Sequence, residues 1–243
     1  MKLLIIRHAD PDYEKDSLTE TGWKEAQALS ERLSKLDVKQ IYCSPLGRAK
    51  DTASLTLKKM NREARICPWL REFSPPYIAY PGTGEKHICW DWLPADWTKD
   101  PVLFDRNKWM DHPSMAQANV REYHDYVLTG LDQLLAAHGY ERENNIYRVT
   151  GRNRDTILLF CHFGVECVLL SHLLHLNAFV LWHSLVAAPS SVTTLYTEER
   201  RDGIASFRMQ SFGDISHLYA KDMTPSFAAR FCETWDSPSE RRD

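Results

Sequence analysis

Three short aliphatic runs stand out along the chain: Leu3–Ile6, Gln40–Cys43 and Thr156–Cys161. Each is too short for a helix and too evenly apolar for a strand with one wet face. Each therefore predicts a strand buried on both sides in a parallel sheet. Helical patterns follow the runs. Trp23, Ala26, Leu29, Leu33 and Leu36 recur at spacings of three and four, which makes one apolar stripe. Thr19 or Thr21 is placed to cap that helix, and Lys35 to sit in its last turn. A second helix is expected from Leu46 to Lys59. A third starts at Asn119 as N-cap, with Glu122 three residues on. It buries Val120, Val127, Leu131, Leu134 and Leu135 and stops at Gly139. A fourth covers about Gly164 to His175, and Ser191–Thr197 and Ala205–Ser211 read as closing strands. Strands alternating with helices predict an α/β three-layer sandwich with a mostly parallel central sheet.

Residues 73–118 break the rhythm. They show no sustained period and are punctuated by Pro75, Pro76, Pro81, Pro94, Pro101 and Pro113. Yet they hold Trp90, Trp92, Trp97 and Trp109, half of the chain's 8 tryptophans. Disordered linkers avoid aromatics, so this stretch is expected to be an ordered insertion with short helices. Long segments of this kind serve as lids or binding elements, and the competing reading is a structural flap without substrate contact. Its tryptophans are candidates for substrate contact or for packing. Residues 140–155 read as an exposed hairpin and 236–243 as a frayed tail. One domain over 1–235, with 73–118 as an inserted lid, accounts for the length.

Composition narrows the class. The 243 residues carry 30 Lys+Arg against 33 Asp+Glu, a net charge of −3. This lacks the basic excess of proteins that bind nucleic acid or membrane surfaces, so neither is expected as a partner. The six cysteines, Cys43, Cys67, Cys89, Cys161, Cys167 and Cys232, form no C-x-x-C pair. They read as reduced thiols in a cytoplasmic protein. The opening apolar run is too short for a signal peptide. The most apolar later stretch, 165–189, is interrupted by Glu166, His172, His175, Asn177 and His183, and makes a poor membrane span.

The chemistry sits where the apolar runs end. The first leads into Arg7-His8, the second into Ser44-Pro45-Leu46-Gly47-Arg48, the third into His162-Phe163-Gly164. Ligands of parallel sheets bind beyond the carboxyl ends of the strands, so these residues are expected to meet in one crevice. Two guanidiniums can grip phosphate oxygens with fixed forks of donors. Two imidazoles add a nucleophile and a donor, and two helix N-termini add backbone N–H groups. No carboxylate cluster with metal-ligand spacing accompanies the histidines, so no metal and no cofactor are expected. Taken singly, each residue has a duller role, as an ion-pair arginine, a core histidine or a surface carboxylate. Convergence at three strand ends favours a site.

Four spaced motifs carry a resemblance. Arg7-His8-Ala9 with Leu18-Thr19-Glu20-Thr21-Gly22, Ser44-Pro45-Leu46-Gly47-Arg48 with Thr52-Ala53, Leu70-Arg71-Glu72, and His162-Phe163-Gly164 together resemble the histidine phosphatase superfamily, also called phosphoglycerate mutase-like. Ser216-His217-Leu218 resembles a common ending of that family, and His217 is the best accessory candidate among the other histidines. The resemblance implies a phosphoglycerate mutase-like fold and a metal-independent phosphatase acting on a small phosphomonoester. It implies that His8 becomes a transient phosphohistidine. Arg7, Arg48 and His162, with the backbone N–H at Phe163, would bind the phosphoryl oxygens. Glu72 would protonate the leaving oxygen and then activate water, with Glu85 and Asp91 as other acids that could serve. His8 is a nucleophile only when neutral, which predicts one ring nitrogen bonded to a backbone carbonyl and the other free.

The family's usual glycine after the first histidine is Ala9 here, and its usual small residue after the second is Phe163, whose ring could narrow the pocket or stack on substrate. Asp10 and Asp12 near the site disfavour highly anionic substrates. A phosphoglycerate mutase is the second reading, since the pattern R-H-G-x-S-x-W-N is absent. A non-catalytic phospho-ligand or protein-binding module is the third. The expected partner is a small phosphorylated metabolite or inorganic phosphate.

Overall fold

The computed structural model describes residues 1–79, 84–226, 233–237, 239 and 240. Cys232, Pro81 and part of the 236–243 tail lie outside the described residues. Eight strands form the central sheet. In chain order they are β1 (Lys2–Arg7), β2 (Gln40–Cys43), β3 (Arg65–Ile66), β4 (Tyr140–Glu143), β5 (Ile146–Val149), β6 (Thr156–Cys161), β7 (Val192–Arg201) and β8 (Ile204–Asp214). In space the order is β3-β2-β6-β1-β7-β8-β5-β4. Strands β3, β2, β6 and β1 pair in parallel, and β1 pairs antiparallel with β7. The remaining pairs, β7 with β8, β8 with β5 and β5 with β4, are antiparallel. The α/β layering is the expected one, but the sheet is mixed rather than mostly parallel: the parallel pairs are gathered in the half that carries the three aliphatic runs, and the hairpin-connected strands of the other half pair antiparallel. The excursion at 140–149 is a hairpin that extends the far edge.

Side chains alternate across the strands, and this makes the layers. Leu4, Ile6, Ile41, Cys43, Leu158 and Phe160 pack one face against α1 (Glu20–Leu33) and α2 (Gly47–Met60). Leu3, Ile5, Ile157, Leu159 and Cys161 face the other way. Their face is covered by α3 (Val120–Ala137) and α4 (Phe163–Leu174), with α5 (Ala178–Ser184) beside them. The expected buried face of α3 is observed in full.

Local expectations fail at three places. Trp23 stays 38% exposed. The face of α1 turned inward at that end is Gly22, Glu25 and Ala26, and a Cβ on Gly22 would lie 2.2 Å from the Asp10 carbonyl oxygen. Arg32, not Lys35, occupies the last turn of α1, while Thr19 is the cap and accepts from Gly22 N–H at 3.0 Å. Asn119 precedes α3 in the left-handed region, φ 53°, rather than the extended backbone of an ordinary N-cap, and makes no side-chain cap bond.

Among the described residues of 73–118, helical turns run at Pro94–Trp97, Pro101–Phe104, Trp109–Asp111 and Pro113–Gln117. Proline opens three of the four as the first residue, where its missing N–H costs nothing.

Candidate functional site

The parallel register places the site. Arg7 pairs with Cys161, and Cys43 with Phe160. The next residues along, His8, Ser44 and His162, therefore leave the sheet side by side. Neighbouring strands lie about 4.8 Å apart, and the rings of His8 and His162 sit 5.0 Å apart between centroids.

His8 is buried, and its backbone is held on both sides. Its N–H donates to Cys161 O at 3.0 Å and its carbonyl accepts from Ser190 N–H at 3.0 Å. Its Nδ1 lies 2.8 Å from the Ala9 carbonyl oxygen. A carbonyl only accepts, so Nδ1 carries the proton and Nε2 has the free lone pair. Burial, then the nearby Arg7 and Arg48 charges, push the His8 pKa well below its ordinary value, against the Ala9 hydrogen bond. Ala9 N–H donates to Thr52 Oγ1 at 2.9 Å, which ties this turn to α2.

The two arginines enter from different elements. Arg7, the last residue of β1, is buried and donates through Nη1 to Ala187 O. Its guanidinium lies 5.9 Å from the centre of the Phe163 ring. Arg48 sits in the first turn of α2 and pairs through Nη1 with Asp16 Oδ1 at 2.6 Å. Asp16 also accepts from Gly47 N–H at 2.6 Å, and its backbone is left-handed at φ 48°. Burial raises the Asp16 pKa, but the Gly47 and Arg48 hydrogen bonds outweigh it and hold it low.

His162 is the N-cap of α4, and its side chain does not cap the helix. Its Nε2 shares a 2.7 Å hydrogen bond with Ser44 Oγ, which also accepts from Leu46 N–H at 3.2 Å. Burial, then the electrostatic coupling to His8 and the charges of the arginines, push its pKa well below the ordinary range. His162 Nδ1, Arg7 Nε and Arg48 Nε are all buried without a hydrogen-bond partner. Native proteins rarely leave buried nitrogens unpaired, so three in one cluster mark a place built for an acceptor-rich ligand.

Glu72 meets this group from a loop. Its Oε1 accepts from Phe73 N–H at 2.8 Å and from Val165 N–H, in the first turn of α4, at 3.1 Å. Burial raises its pKa, against the two backbone hydrogen bonds and the charges of Arg7 and Arg48. Gly164 is needed here: a Cβ would meet Glu72 Oε1 at 2.7 Å and Trp90 Nε1 at 3.1 Å. The other acids considered, Glu85 and Asp91, both lie beside His87, at 3.5 and 3.8 Å. Beyond Glu72 and Arg48 opens a cavity of about 500 Å³, walled by Tyr13, Leu46, Tyr77, Ile88 and Trp90 among others.

Arg7, His8, Arg48, His162, Phe163 and Glu72 thus gather at the ends of the parallel strands. Three contributors were not singled out by sequence. Asp16 orients Arg48, but as one acid in a polar loop it carries no local signal. Glu166 is buried on α4, where burial lifts its pKa to about 7, against the Thr193 hydroxyl and the Arg7 charge. Its signal is a carboxylate inside an otherwise apolar helical run. Ser190, in the left-handed region at φ 60°, supplies its N–H to His8 and shares a 3.1 Å bond with His217 Nε2. His217 is therefore one residue removed from His8.

Comparison with known proteins gives an independent reading. The family profile "Histidine phosphatase superfamily (branch 1)" matches residues 3–210. A protein named "Probable phosphatase" from Schizosaccharomyces pombe is 25% identical over 236 residues, covering 91% of this chain and 97% of that one. The structure of mycobacterial glucosyl-3-phosphoglycerate phosphatase with inorganic phosphate matches with a TM-score of 0.58 at 19% identity, over 89% of this chain and 99% of that chain. Phosphoserine phosphatase from Entamoeba histolytica, in complex with 3-phosphoglyceric acid, matches with a TM-score of 0.58 at 19% identity, over 89% and 98% of the two chains. At such identities the solved structures speak for the fold.

Proposed function

The chain belongs to the histidine phosphatase superfamily, branch 1, and from that premise we propose that it is a metal-independent phosphomonoesterase working through a phosphohistidine at His8. The observation that carries the proposal is the His8 imidazole. It is kept neutral by burial and by neighbouring positive charge, with Nδ1 committed to Ala9 O and Nε2 free.

His8 Nε2 attacks phosphorus as the ester P–O bond breaks. Arg7, Arg48, His162 and the backbone N–H of Phe163 hold the three phosphoryl oxygens, where charge builds in the transition state. The charge that neutralises the phosphoryl group comes from the two guanidiniums. Glu72, its pKa raised by burial, gives its proton to the departing alkoxide. The carboxylate left behind then takes a proton from water. The resulting hydroxide attacks phosphorus, the N–P bond breaks, and His8 and inorganic phosphate are released. Burial raises the pKa of this carboxyl, which favours the protonated form the first step needs.

Relatives named for phosphoserine and glucosyl-3-phosphoglycerate support a small phosphorylated metabolite as substrate. Five cysteines, buried and free among the described residues, support a reducing, cytoplasmic setting. The test is hydrolysis of p-nitrophenyl phosphate in EDTA by wild type and His8→Ala. Wild type is expected to turn over, and the variant to fall to background. Equal rates, or a wild-type rate abolished by EDTA, would overturn the proposal.

A further inference from the structure

The geometry points to a substrate whose alcohol is an aromatic ring or carries one close to the ester oxygen, an inference that rests on the phosphatase reading above. The cavity beyond Arg48 and Glu72 is about 500 Å³, within the range of pockets that enclose a whole organic ligand, roughly 300–1,000 Å³. A phosphoryl group held at the strand ends leaves that space to the alcohol.

The walls say what kind of alcohol. Tyr13 and Tyr77 both line the cavity while 65% and 64% exposed. Leu46, Ile88 and Trp90 line it as well. Large rings left open to water around one cavity are costly unless something apolar covers them. Tyr13 is tied to the reacting centre, because the Arg48 guanidinium lies 5.4 Å from its ring centre. Tyr13 therefore walls the cavity next to the guanidinium that is to grip the phosphate. Trp90 is fixed on the other side of the site by its Nε1–H bond to Phe73 O at 2.8 Å, the same residue whose N–H holds Glu72.

Charge argues the same way by elimination. A phosphorylated acid needs a second cationic grip beyond the phosphate. Arg48 is already paired with Asp16, and His87 stands between Glu85 and Asp91. Of the cationic groups lining the cavity, this leaves Lys86, on an exposed strand. Among the described residues the cavity wall therefore presents the Tyr13, Tyr77 and Trp90 rings and no paired cationic clamp for a carboxylate.

The experiment compares benzyl phosphate with n-propyl phosphate. Both leave as primary alkoxides, so their intrinsic reactivities are close and the ring is the main difference. The expected kcat/KM ratio favours benzyl by about 10-fold or more, on the scale by which apolar pockets discriminate. Phosphoserine and 3-phosphoglycerate are expected below benzyl phosphate. Tyr77→Ala is expected to bring the benzyl-to-propyl ratio down several-fold, and Tyr77→Phe to restore it. A ratio near one, a preference for 3-phosphoglycerate, or a ratio untouched by Tyr77→Ala overturns the aromatic assignment while leaving the phosphatase reading intact. No turnover of any ester by the folded wild type overturns the phosphatase reading itself.

Discussion

The strand-end cluster and the insertion at 73–118 spend their costly residues in opposite ways. At the strand ends, Arg7, His8 and His162 are buried polar groups, and the cluster keeps three nitrogens unpaired. In the insertion, Trp92, Trp97 and Trp109 are buried rings that fill space, and of these Trp97 Nε1 is also left without a hydrogen-bond partner. Trp109 meets the Trp182 ring edge-on at 5.3 Å, and Trp92 and Trp97 meet Phe179 at 5.7 and 5.8 Å. The first region gives up stability to hold a ligand site ready, and the second supplies stability to the wall beside it. The contrast also divides the tryptophans. Trp90 alone of the four in the insertion lines the cavity among the described residues, and the other three anchor the insertion to α5 and its surroundings.

The sharpest way to break this contrast is to remove chemistry without touching packing. Glu72→Gln keeps the shape and should lower kcat by about 10²–10⁴-fold, the usual weight of a general acid. Circular dichroism and the melting temperature should stay close to wild type. A kcat within a few-fold of wild type would remove Glu72 from the mechanism.

The converse is to remove packing without touching chemistry. Trp109 is 1% exposed, and Trp109→Ala should cost about 3–5 kcal/mol in unfolding free energy. Denaturant melts would measure it. The folded variant should keep its phosphate affinity, since Trp109 belongs to the buried core cluster and not to the strand-end group. A loss of phosphate binding by folded variant, with stability unchanged, would place Trp109 on the wrong side of the comparison.

Much of this was legible in the sequence, for a physical reason. A strand buried on both faces must be apolar throughout, so the change to Arg7-His8, Ser44 or His162 is abrupt and visible. Parallel register then aligns residues far apart in the chain. What was hidden depends on non-local contacts. Asp16 reaches Arg48 only because a Cβ-free Gly47 lets the loop approach: a Cβ there would lie 1.9 Å from Asp16 O. The division of the tryptophans depends on which side of a short helical turn faces α5, and turns of four residues have no period to read. Glu166 looked like an interruption of an apolar helix. Its burial shows only once the sheet covers it.

Those hidden residues sharpen the comparison at smaller magnitude. Asp16→Asn retains the side-chain shape but loosens the Arg48 fork, and kcat should fall by about 10- to 100-fold through misplaced guanidinium donors. An unchanged kcat would make the Arg48–Asp16 pair incidental.

Glu166 offers a readout in pH. Its folded pKa of about 7 stands above the ordinary 4.5, so the folded state binds the extra proton in that window. Its contribution to stability is present at low pH and lost as pH rises through that window to 7. Glu166→Gln removes this dependence. The melting temperature of the variant minus that of wild type should be more positive at pH 8 than at pH 5. A difference constant with pH would mean that Glu166 does not titrate there.

The central claim is the phosphohistidine, and chemical trapping addresses it directly. Wild type mixed with a ³²P-labelled phosphomonoester and quenched in base should retain acid-labile, base-stable label, located by peptide mapping on the fragment holding His8. His8→Ala should retain none. Label on another residue, or rapid hydrolysis by wild type with no trapped label at any quench time, would contradict the account.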